Sequence, residues 1–106
     1  MPFPAHAPLR HIVLFAFQPT ASADQIAAVI TAFTQLPLQI ADILHFELGE
    51  NISPEALNDG YTHAFTLSFA SAEACNRYIA HPAHQAFVAL AQPFLTKALV
   101  FDYLVG

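Results

Sequence analysis

The segment 61–69 alternates between two kinds of side chain at every step. Its odd positions carry Tyr, His, Phe, Leu and Phe, whereas its even positions carry Thr, Ala, Thr and Ser. A period of two is typical of a β-strand, because successive side chains of a strand point to opposite faces. The sequence therefore predicts a strand here with one aromatic-rich face, and the chain has to fold around a sheet.

Three more strands and a first helix follow from composition and spacing. Segments rich in β-branched and aromatic residues predict strands at 11–17, 43–49 and 99–105. Helical spacing of apolar residues, together with a Ser22–Gln25 capping box, predicts a helix over 23–36. Pro37 is expected to end that helix.

Two further helices are predicted between the third and fourth strands. Ser71 is expected to cap the first of them, and Pro82 is well placed as the opening residue of the second. The side chains predicted to point inward from these helices are Cys75, Tyr78, Ile79, Phe87, Leu90, Ala91 and Phe94.

The predicted order is β-α-β-β-α-α-β. Its simplest closed arrangement is a ferredoxin-like α+β fold, an antiparallel sheet with helices on one face. In this arrangement we expect the first and third strands to lie side by side and to run parallel. The proline-rich segment 1–9 predicts a flexible tail, so that 10–106 forms a single domain.

Apolar residues are abundant for so short a chain. They make up 56% of the 106 residues, and charged residues only 10%, against roughly 45–50% and 25% in typical domains. This balance excludes disorder. It also predicts more apolar surface than one small core can cover, and helices on one face leave the other face of the sheet bare. We therefore expect a homodimer in which two sheets cover one another.

Fixed positive charge is nearly absent. The net charge is −5, and the only fixed cations are Arg10, Arg77 and Lys97. Nucleic acid and a peripheral membrane surface are therefore excluded as partners. The apolar stretches are too short to span a membrane, and no signal peptide is expected. A single cysteine, Cys75, predicts a reducing, cytoplasmic location.

Six histidines are the unusual feature of the composition. With parallel first and third strands, His11 and His63 become near neighbours on the aromatic-rich face. They either line a site together or are core-edge residues bonded to the backbone. His81 is expected to be a helix cap, and neither His6 nor His45 is assigned a role.

His84 and Tyr78 are the candidate reactive pair. His84 falls at the third position of its helix, where the positive end of the helix dipole disfavours imidazolium. A histidine held neutral can act as a general base near pH 7. Tyr78 points inward one turn before this corner and offers a hydrogen-bond donor. The alternative is structural, with His84 making a local capping contact and Tyr78 bonding the loop.

Metal binding is the less favoured chemistry for these residues. Three histidines can bind zinc, but the spacings match no compact metal motif, and no carboxylate is expected beside any histidine. Cys75 is expected to be inert packing. No glycine-rich phosphate loop occurs, so the sequence predicts neither a metal nor a cofactor.

Five blocks of residues, in order from about 10 to 103, resemble the stress-responsive A/B barrel (Dabb) family. The blocks are His11-Ile12-Val13-Leu14-Phe15, Asn51-x-Ser53-Pro54-Glu55, Gly60-Tyr61-Thr62-His63, Tyr78-Ile79-x-His81-Pro82-x-His84 and Phe101-Asp102-Tyr103. The Tyr-Thr-His and His-Pro-x-His blocks are the specific ones. The resemblance implies a ferredoxin-like α+β fold that dimerises into a shared barrel.

The resemblance also implies roles for individual residues. One plant member of the family is a polyketide cyclase that works without metal or cofactor. By similarity, His84 would act as base and Tyr78 as its hydrogen-bonding assistant, while His11 and His63 would line the cavity. This chain has Phe33 where that cyclase has a tyrosine, which implies a more apolar pocket.

Three functions follow as expectations. The leading one is a small, cofactor-free enzyme, a polyketide cyclase-like protein or lyase, acting on an apolar carbonyl compound. The second is a non-catalytic stress protein stabilised by dimerisation. The third is a binding module for an apolar small molecule. A filled space around His84 would favour the second, and an open pocket the first or third.

Overall fold

A computed structural model describes residues 8–106 of the chain. The elements, in order, are β1 (Leu9–Phe17), α1 (Ala23–Gln39), β2 (His45–Glu50), β3 (His63–Phe69), α2 (Ala72–Ala80), α3 (Pro82–Ala91), a 3₁₀ turn (Gln92–Phe94) and β4 (Leu95–Leu104). The predicted tail lies outside the described residues except for its last two. Of these, Leu9 is buried in β1 and Pro8 accepts a hydrogen bond from Val105, so the ordered chain begins earlier than predicted.

The four strands form one sheet in the order β2-β3-β1-β4, with every neighbouring pair antiparallel. This confirms the predicted ferredoxin-like α+β fold. The expectation that β1 and β3 run parallel is wrong, because the split β-α-β unit places β3 between the parallel β1 and β2. The start of β1 therefore lies beside the end of β3, and His11 pairs with Leu67 while His63 pairs with Phe15.

The helices cover one face of the sheet. Alternate β1 residues starting at Leu9 are buried on that face, together with the odd positions of β3. The opposite face carries the half-buried and exposed positions, among them Leu99, Phe101 and Tyr103 of β4, which are 39%, 60% and 46% exposed. The period of two in the sequence thus corresponds to one covered face and one open face.

Aromatic rings hold the helices on the sheet. The ring of Phe33 in α1 lies 4.4 Å from that of Phe65 in β3 and 4.5 Å from that of Phe87 in α3, measured between centroids. Phe15 in β1 joins them at 5.1 Å from Phe65. Such pairs contribute about 0.5–1.5 kcal/mol each beyond the burial of their area. The cluster joins four separate elements, β1, α1, β3 and α3, at one point in the core.

The first helix is longer than predicted. Its capping box forms as expected, with Gln25 N–H donating to Ser22 Oγ and Ser22 N–H donating to the Gln25 side chain. Pro37 lies inside the helix instead of ending it. The proline removes only its own N–H, and the following turn recovers when Ile40 N–H donates to the Leu36 carbonyl at 2.9 Å.

The corner between α2 and α3 is built by caps. Ser71 caps α2 at its other end, as predicted. At the corner, His81 Nδ1 accepts a hydrogen bond from Ala83 N–H at 3.0 Å, so His81 is the helix cap that the sequence predicts. Two inward predictions are wrong. Ile79 and Leu90 are 43% and 46% exposed, because each helix is short and only a narrow stripe of it reaches the sheet.

The last strand also differs from prediction, since β4 begins at Leu95 and not at 99. Thr96 and Lys97 interrupt the apolar run, but their backbone still pairs with the end of β1, where the register shifts between Ala16 and Phe17. None of the helices in residues 8–106 is long and apolar enough to cross a membrane.

We expect Phe65→Ala to lower the free energy of unfolding by about 3–5 kcal/mol, because it leaves a cavity at the centre of the aromatic cluster. Denaturant unfolding followed by circular dichroism measures the change. Leu38→Ala is the matched control. Its side chain is 80% exposed, and its loss should change stability by less than about 0.5 kcal/mol. Equal effects of the two substitutions would contradict the placement of the core.

Candidate active site

A cavity of about 530 Å³ opens between the β1–β4 half of the sheet and the α2–α3 corner. Its lining is mostly apolar and includes Val13, Phe15, Phe33, Ile79, Val88 and Val100. Three of the four predicted site histidine and tyrosine residues, His11, Tyr78 and His84, also line it. The space beside His84 is therefore open, which is the arrangement expected of an enzyme or a binding module.

Tyr78 is the centre of the polar group in this cavity. Its ring lies 5.6 Å from that of His11 and 4.5 Å from that of His84, between centroids. Its side chain is almost fully buried, and this desolvation raises the pKa of the phenol, so the hydroxyl keeps its proton. That hydroxyl has no hydrogen bond to another described residue. No fully enclosed polar side-chain atom of residues 8–106 lacks a partner, so the hydroxyl is not completely sealed, and Tyr78 lines the cavity.

His84 is oriented by the end of the preceding helix. Its Nδ1 lies 3.0 Å from the Ile79 carbonyl oxygen. A carbonyl only accepts, so Nδ1 carries the proton and Nε2 of the neutral ring keeps its lone pair. Burial in the cavity lowers the pKa of His84, and nearby His11 lowers it further, while the Ile79 carbonyl opposes the shift. The sequence predicts a lowered pKa for His84, and the structure gives the same direction. The leading cause is burial, and not the helix dipole that the sequence suggests.

His11 has a carboxylate partner that the sequence analysis missed. Its Nδ1 lies 2.5 Å from Asp102 Oδ1, and the two residues face each other in the β1–β4 register. The expectation that no histidine has a carboxylate beside it is therefore wrong. A signal was available, since antiparallel pairing of the first and last strands brings the start of one beside the end of the other.

His63 lies elsewhere. It is not among the residues that line the cavity, and its partner strand position, Phe15, is four residues along β1 from His11, or roughly 13 Å at about 3.3 Å per residue. Its Nδ1 contacts Thr62 Oγ1 at 2.8 Å, and its Nε2 lies 3.7 Å from Glu50. The wrong strand direction is the reason that the sequence placed it beside His11.

Cys75 is buried behind His11, with its Sγ 4.0 Å from His11 Nδ1. Burial raises the pKa of the thiol to about 11, so it is neutral near pH 7 and packs as an apolar group. His11, Cys75 and Asp102 bring one ligand atom each within 4.8 Å of one another. They are the set among the described residues that a metal ion could use, although the ion would first have to displace the thiol proton.

The cavity thus offers a hydrogen-bond donor beside a proton acceptor, in apolar surroundings. The Tyr78 hydroxyl is the donor, and Nε2 of His84 is the acceptor. Apolar surroundings strengthen both interactions, because little water competes for them. This arrangement suits proton removal from carbon next to a carbonyl whose oxygen is held by a donor.

Known proteins resemble this chain over nearly its whole length. The stress-response A/B barrel domain-containing protein HS1 of Arabidopsis thaliana is 38% identical over 99 residues, covering 93% of this chain and 91% of that protein. Olivetolic acid cyclase of Cannabis sativa is 27% identical over 95 residues, covering 90% and 94%. A dimeric ferredoxin-like protein of unknown function from Thermobifida fusca superimposes with a TM-score of 0.81 at 27% identity, covering 97% and 95%.

The family comparison agrees with these relatives. The family described as Stress responsive A/B Barrel Domain matches residues 9–105, from the first residue of β1 to just beyond the end of β4. The match includes the strand that carries His11, the corner that carries Tyr78 and His84, and the strand that carries Asp102. The chain therefore belongs to the stress-responsive A/B barrel domain family, Dabb.

Proposed function

We propose that the protein is a small enzyme that acts on an apolar carbonyl compound without a metal or cofactor. His84 removes a proton from the carbon next to the carbonyl, and Tyr78 holds the oxygen. The observation that carries the proposal is the open, mostly apolar cavity, which is lined by the rings of Tyr78 and His84 at 4.5 Å between centroids.

His84 fits the role of base for two reasons. Its Nδ1 is committed to the Ile79 carbonyl, so Nε2 is the atom left to accept a proton. Its lowered pKa keeps the ring neutral at pH 7, which makes the base form the resting form. General base catalysis of this kind contributes typically about 10²–10⁴-fold to a rate.

Tyr78 fits the role of donor to the developing enolate oxygen. Its raised pKa means that it stays protonated throughout the reaction. The hydroxyl belongs to a ring packed against Phe69 at 5.0 Å between centroids, so its position is fixed before a substrate arrives. A donor held in place where charge develops is worth more than one that must reorganise.

The relatives set the substrate class that we favour. Olivetolic acid cyclase supports a polyketide-like cyclisation or lyase step for this chain. Phe33 and His11 line the cavity here and are the substrate-contacting residues of the proposal. We do not include His63 among them, because it lies at the other end of β1.

A second function rests on the same cavity. Its apolar lining fits an apolar small molecule whether or not the molecule is converted. A stress-response role would then come from holding this ligand, or from dimer stability alone. Binding without turnover separates this function from the enzymatic one.

We further propose a homodimer formed through the open face of the sheet. Phe101 and Tyr103 form an aromatic pair on that face, 6.4 Å between centroids. Phe101 lies opposite the apolar Ile12 of β1, and Tyr103 lies opposite Arg10 at the edge of this patch. Dimeric relatives such as the Thermobifida fusca protein support the assembly. The neutral, buried Cys75 suits a reducing location, and we propose the cytoplasm.

We expect His84→Ala and Tyr78→Phe each to slow exchange of the α-protons of propiophenone, an apolar ketone, by at least about 10²-fold. Proton NMR in D₂O measures the exchange. The melting temperature of Tyr78→Phe should stay nearly unchanged, because its hydroxyl bonds no other described residue. His84→Ala also removes the Nδ1 bond to the Ile79 carbonyl and should lower the free energy of unfolding by about 0.5–1.5 kcal/mol. His45→Ala is the matched control, since His45 is exposed and outside the cavity. Wild-type protein that binds the ketone without exchanging its protons would favour the binding function.

The pH dependence of that exchange should show the lowered pKa of His84. The unprotonated ring is the active form, so a lower pKa keeps the enzyme active at lower pH. We expect the acid limb of the exchange rate to have its midpoint below 6.5, the ordinary histidine value. A midpoint at or above that value, in a profile recorded from about pH 4.5 to 8, would contradict His84 as the base.

We expect sedimentation at micromolar concentration to give twice the 11.5 kDa chain mass. Phe101→Asp places a charge in the proposed interface and should shift the protein towards monomer. Leu38→Asp is the control, because Leu38 is 80% exposed on the helix layer. A wild-type monomer at this concentration would rule out the dimer.

A further inference from the structure

The proposed mechanism places His11 in the cavity lining but gives it no chemical role. The polar residues Gln92, Thr96 and Lys97 also line the cavity. His11 is 4% exposed and lines the cavity, yet its hydrogen-bonding partners among residues 8–106 all lie at Nδ1. A buried imidazole that has a carboxylate at one ring nitrogen and an open cavity on its other side is a candidate ligand-binding group.

We propose that His11, fixed by Asp102, is the acceptor for a hydroxyl group of the substrate. The protein is then selective for an apolar carbonyl compound that carries a separate hydroxyl or enol group. This inference rests on the proposed function of the same cavity and narrows its substrate class. Asp102 is the positioning residue, and His11 is the specificity-determining one.

Asp102 determines the tautomer of His11. Asp102 Oδ1 lies 2.5 Å from Nδ1, and an ionised carboxylate only accepts. When the ring is neutral, Nδ1 therefore carries the proton and Nε2 is an acceptor. A carboxylate behind an imidazole fixes both the tautomer and the ring orientation in this way in other sites.

Nε2 of His11 is free and can be reached from the cavity. It has no hydrogen bond to another described residue, while no fully enclosed polar side-chain atom of residues 8–106 lacks a partner. Nε2 must then touch open space, and the space that His11 lines is the cavity. An acceptor left empty in apolar surroundings favours a ligand that brings a donor.

A ligand in the cavity meets the Tyr78 hydroxyl and the rings of His11 and His84. Tyr78 stands between the two histidines, with ring centroids 5.6 Å from His11 and 4.5 Å from His84. The phenol donates to a carbonyl oxygen, Nε2 of His84 takes a proton from carbon, and Nε2 of His11 accepts from a hydroxyl. A simple ketone satisfies the first two groups and leaves the third unpaired.

The orientation of His11 depends on Asp102 more than on its other neighbours. Cys75 from α2 is 4.0 Å from Nδ1 and its thiol is neutral. The rings of Phe69 and Tyr78 contact the imidazole edge-on, which limits tilting but not the choice of tautomer. Without the carboxylate charge, the proton of the neutral His11 ring can therefore occupy either nitrogen, while the packing around the ring is unchanged.

The test compares two probes that differ in one hydroxyl, propiophenone and 3′-hydroxypropiophenone, with 3′-methoxypropiophenone to control for size. We expect wild-type protein to bind the hydroxy compound roughly three- to tenfold more tightly than the other two, as one net hydrogen bond implies. Calorimetric titration measures the three dissociation constants. Asp102→Asn should remove the preference, so that the dissociation constants for the three compounds become nearly equal.

Nitrogen NMR of the imidazoles shows which ring nitrogen of His11 carries the proton. This measurement would not change if Asp102 had only a structural role. We expect His11 of the free wild-type protein to be protonated at Nδ1, and expect this tautomer to become mixed in Asp102→Asn. Glu50→Gln is the matched control, because it neutralises the carboxylate beside His63, outside the cavity. His11→Phe keeps a ring in place and should abolish the preference even if Asp102→Asn fails to fold.

The outcomes separate the two proposals. A hydroxyl preference that survives both Asp102→Asn and His11→Phe, or no preference in the wild type, overturns this inference while ketone exchange by His84 still stands. A His11 protonated at Nε2 in the wild type also overturns it. A wild-type protein that neither binds the three probes nor exchanges the ketone overturns the proposed function and this inference together.

Discussion

Antiparallel pairing of β1 with its two neighbours is the constraint on which the rest of the molecule depends. It places the buried face of β1 under the helices and determines which residues of β3 and β4 share that face. Through β3 it builds the aromatic cluster, and through β4 it supplies one wall of the cavity. A shift of β1 by one residue would turn His11 and Phe15 to the opposite face and separate His11 from Asp102, which removes core and site together.

The α2–α3 corner is the second determinant of the site, and it works through backbone geometry. Pro82 and the His81 cap separate two short helices that would otherwise continue as one. The break leaves the last carbonyl groups of α2 without helical partners, and the ring of His84 bonds one of them. Tyr78 occupies the last buried position before the break, so the corner brings both groups to the same wall of the cavity.

The sequence predicted the parts of the fold that depend on local patterns. The alternation in β3, the Ser22 cap and the His81–Pro82 break all appear as expected, and the apolar spacing identified Tyr78 as inward. The helix did not end at Pro37, because a single missing N–H does not overcome the hydrogen bonds that follow it. Ile79 and Leu90 were misplaced because helical spacing identifies a face but does not say how wide a stripe the partner covers.

The errors at the site arose from long-range geometry. The prediction of parallel β1 and β3 placed His63 beside His11, which is wrong. The true neighbour of His11, Asp102 of β4, was not predicted. Local patterns carry no information on strand direction, whereas the pairing of the first and last strands determines which end of one meets which end of the other. The prediction of His84 and Tyr78 avoided this error, because the two residues lie six apart in sequence on consecutive helices.

The bond between His84 and the Ile79 carbonyl has a consequence for how the family can vary. The group that orients the imidazole is a backbone atom, which every residue type supplies, so residue 79 is not tied to the chemistry. Its side chain is half-exposed at the rim of the cavity. Substitutions there can reshape the entrance while the imidazole keeps its tautomer, so that acceptance of new ligands and retention of the reactive geometry become separable traits.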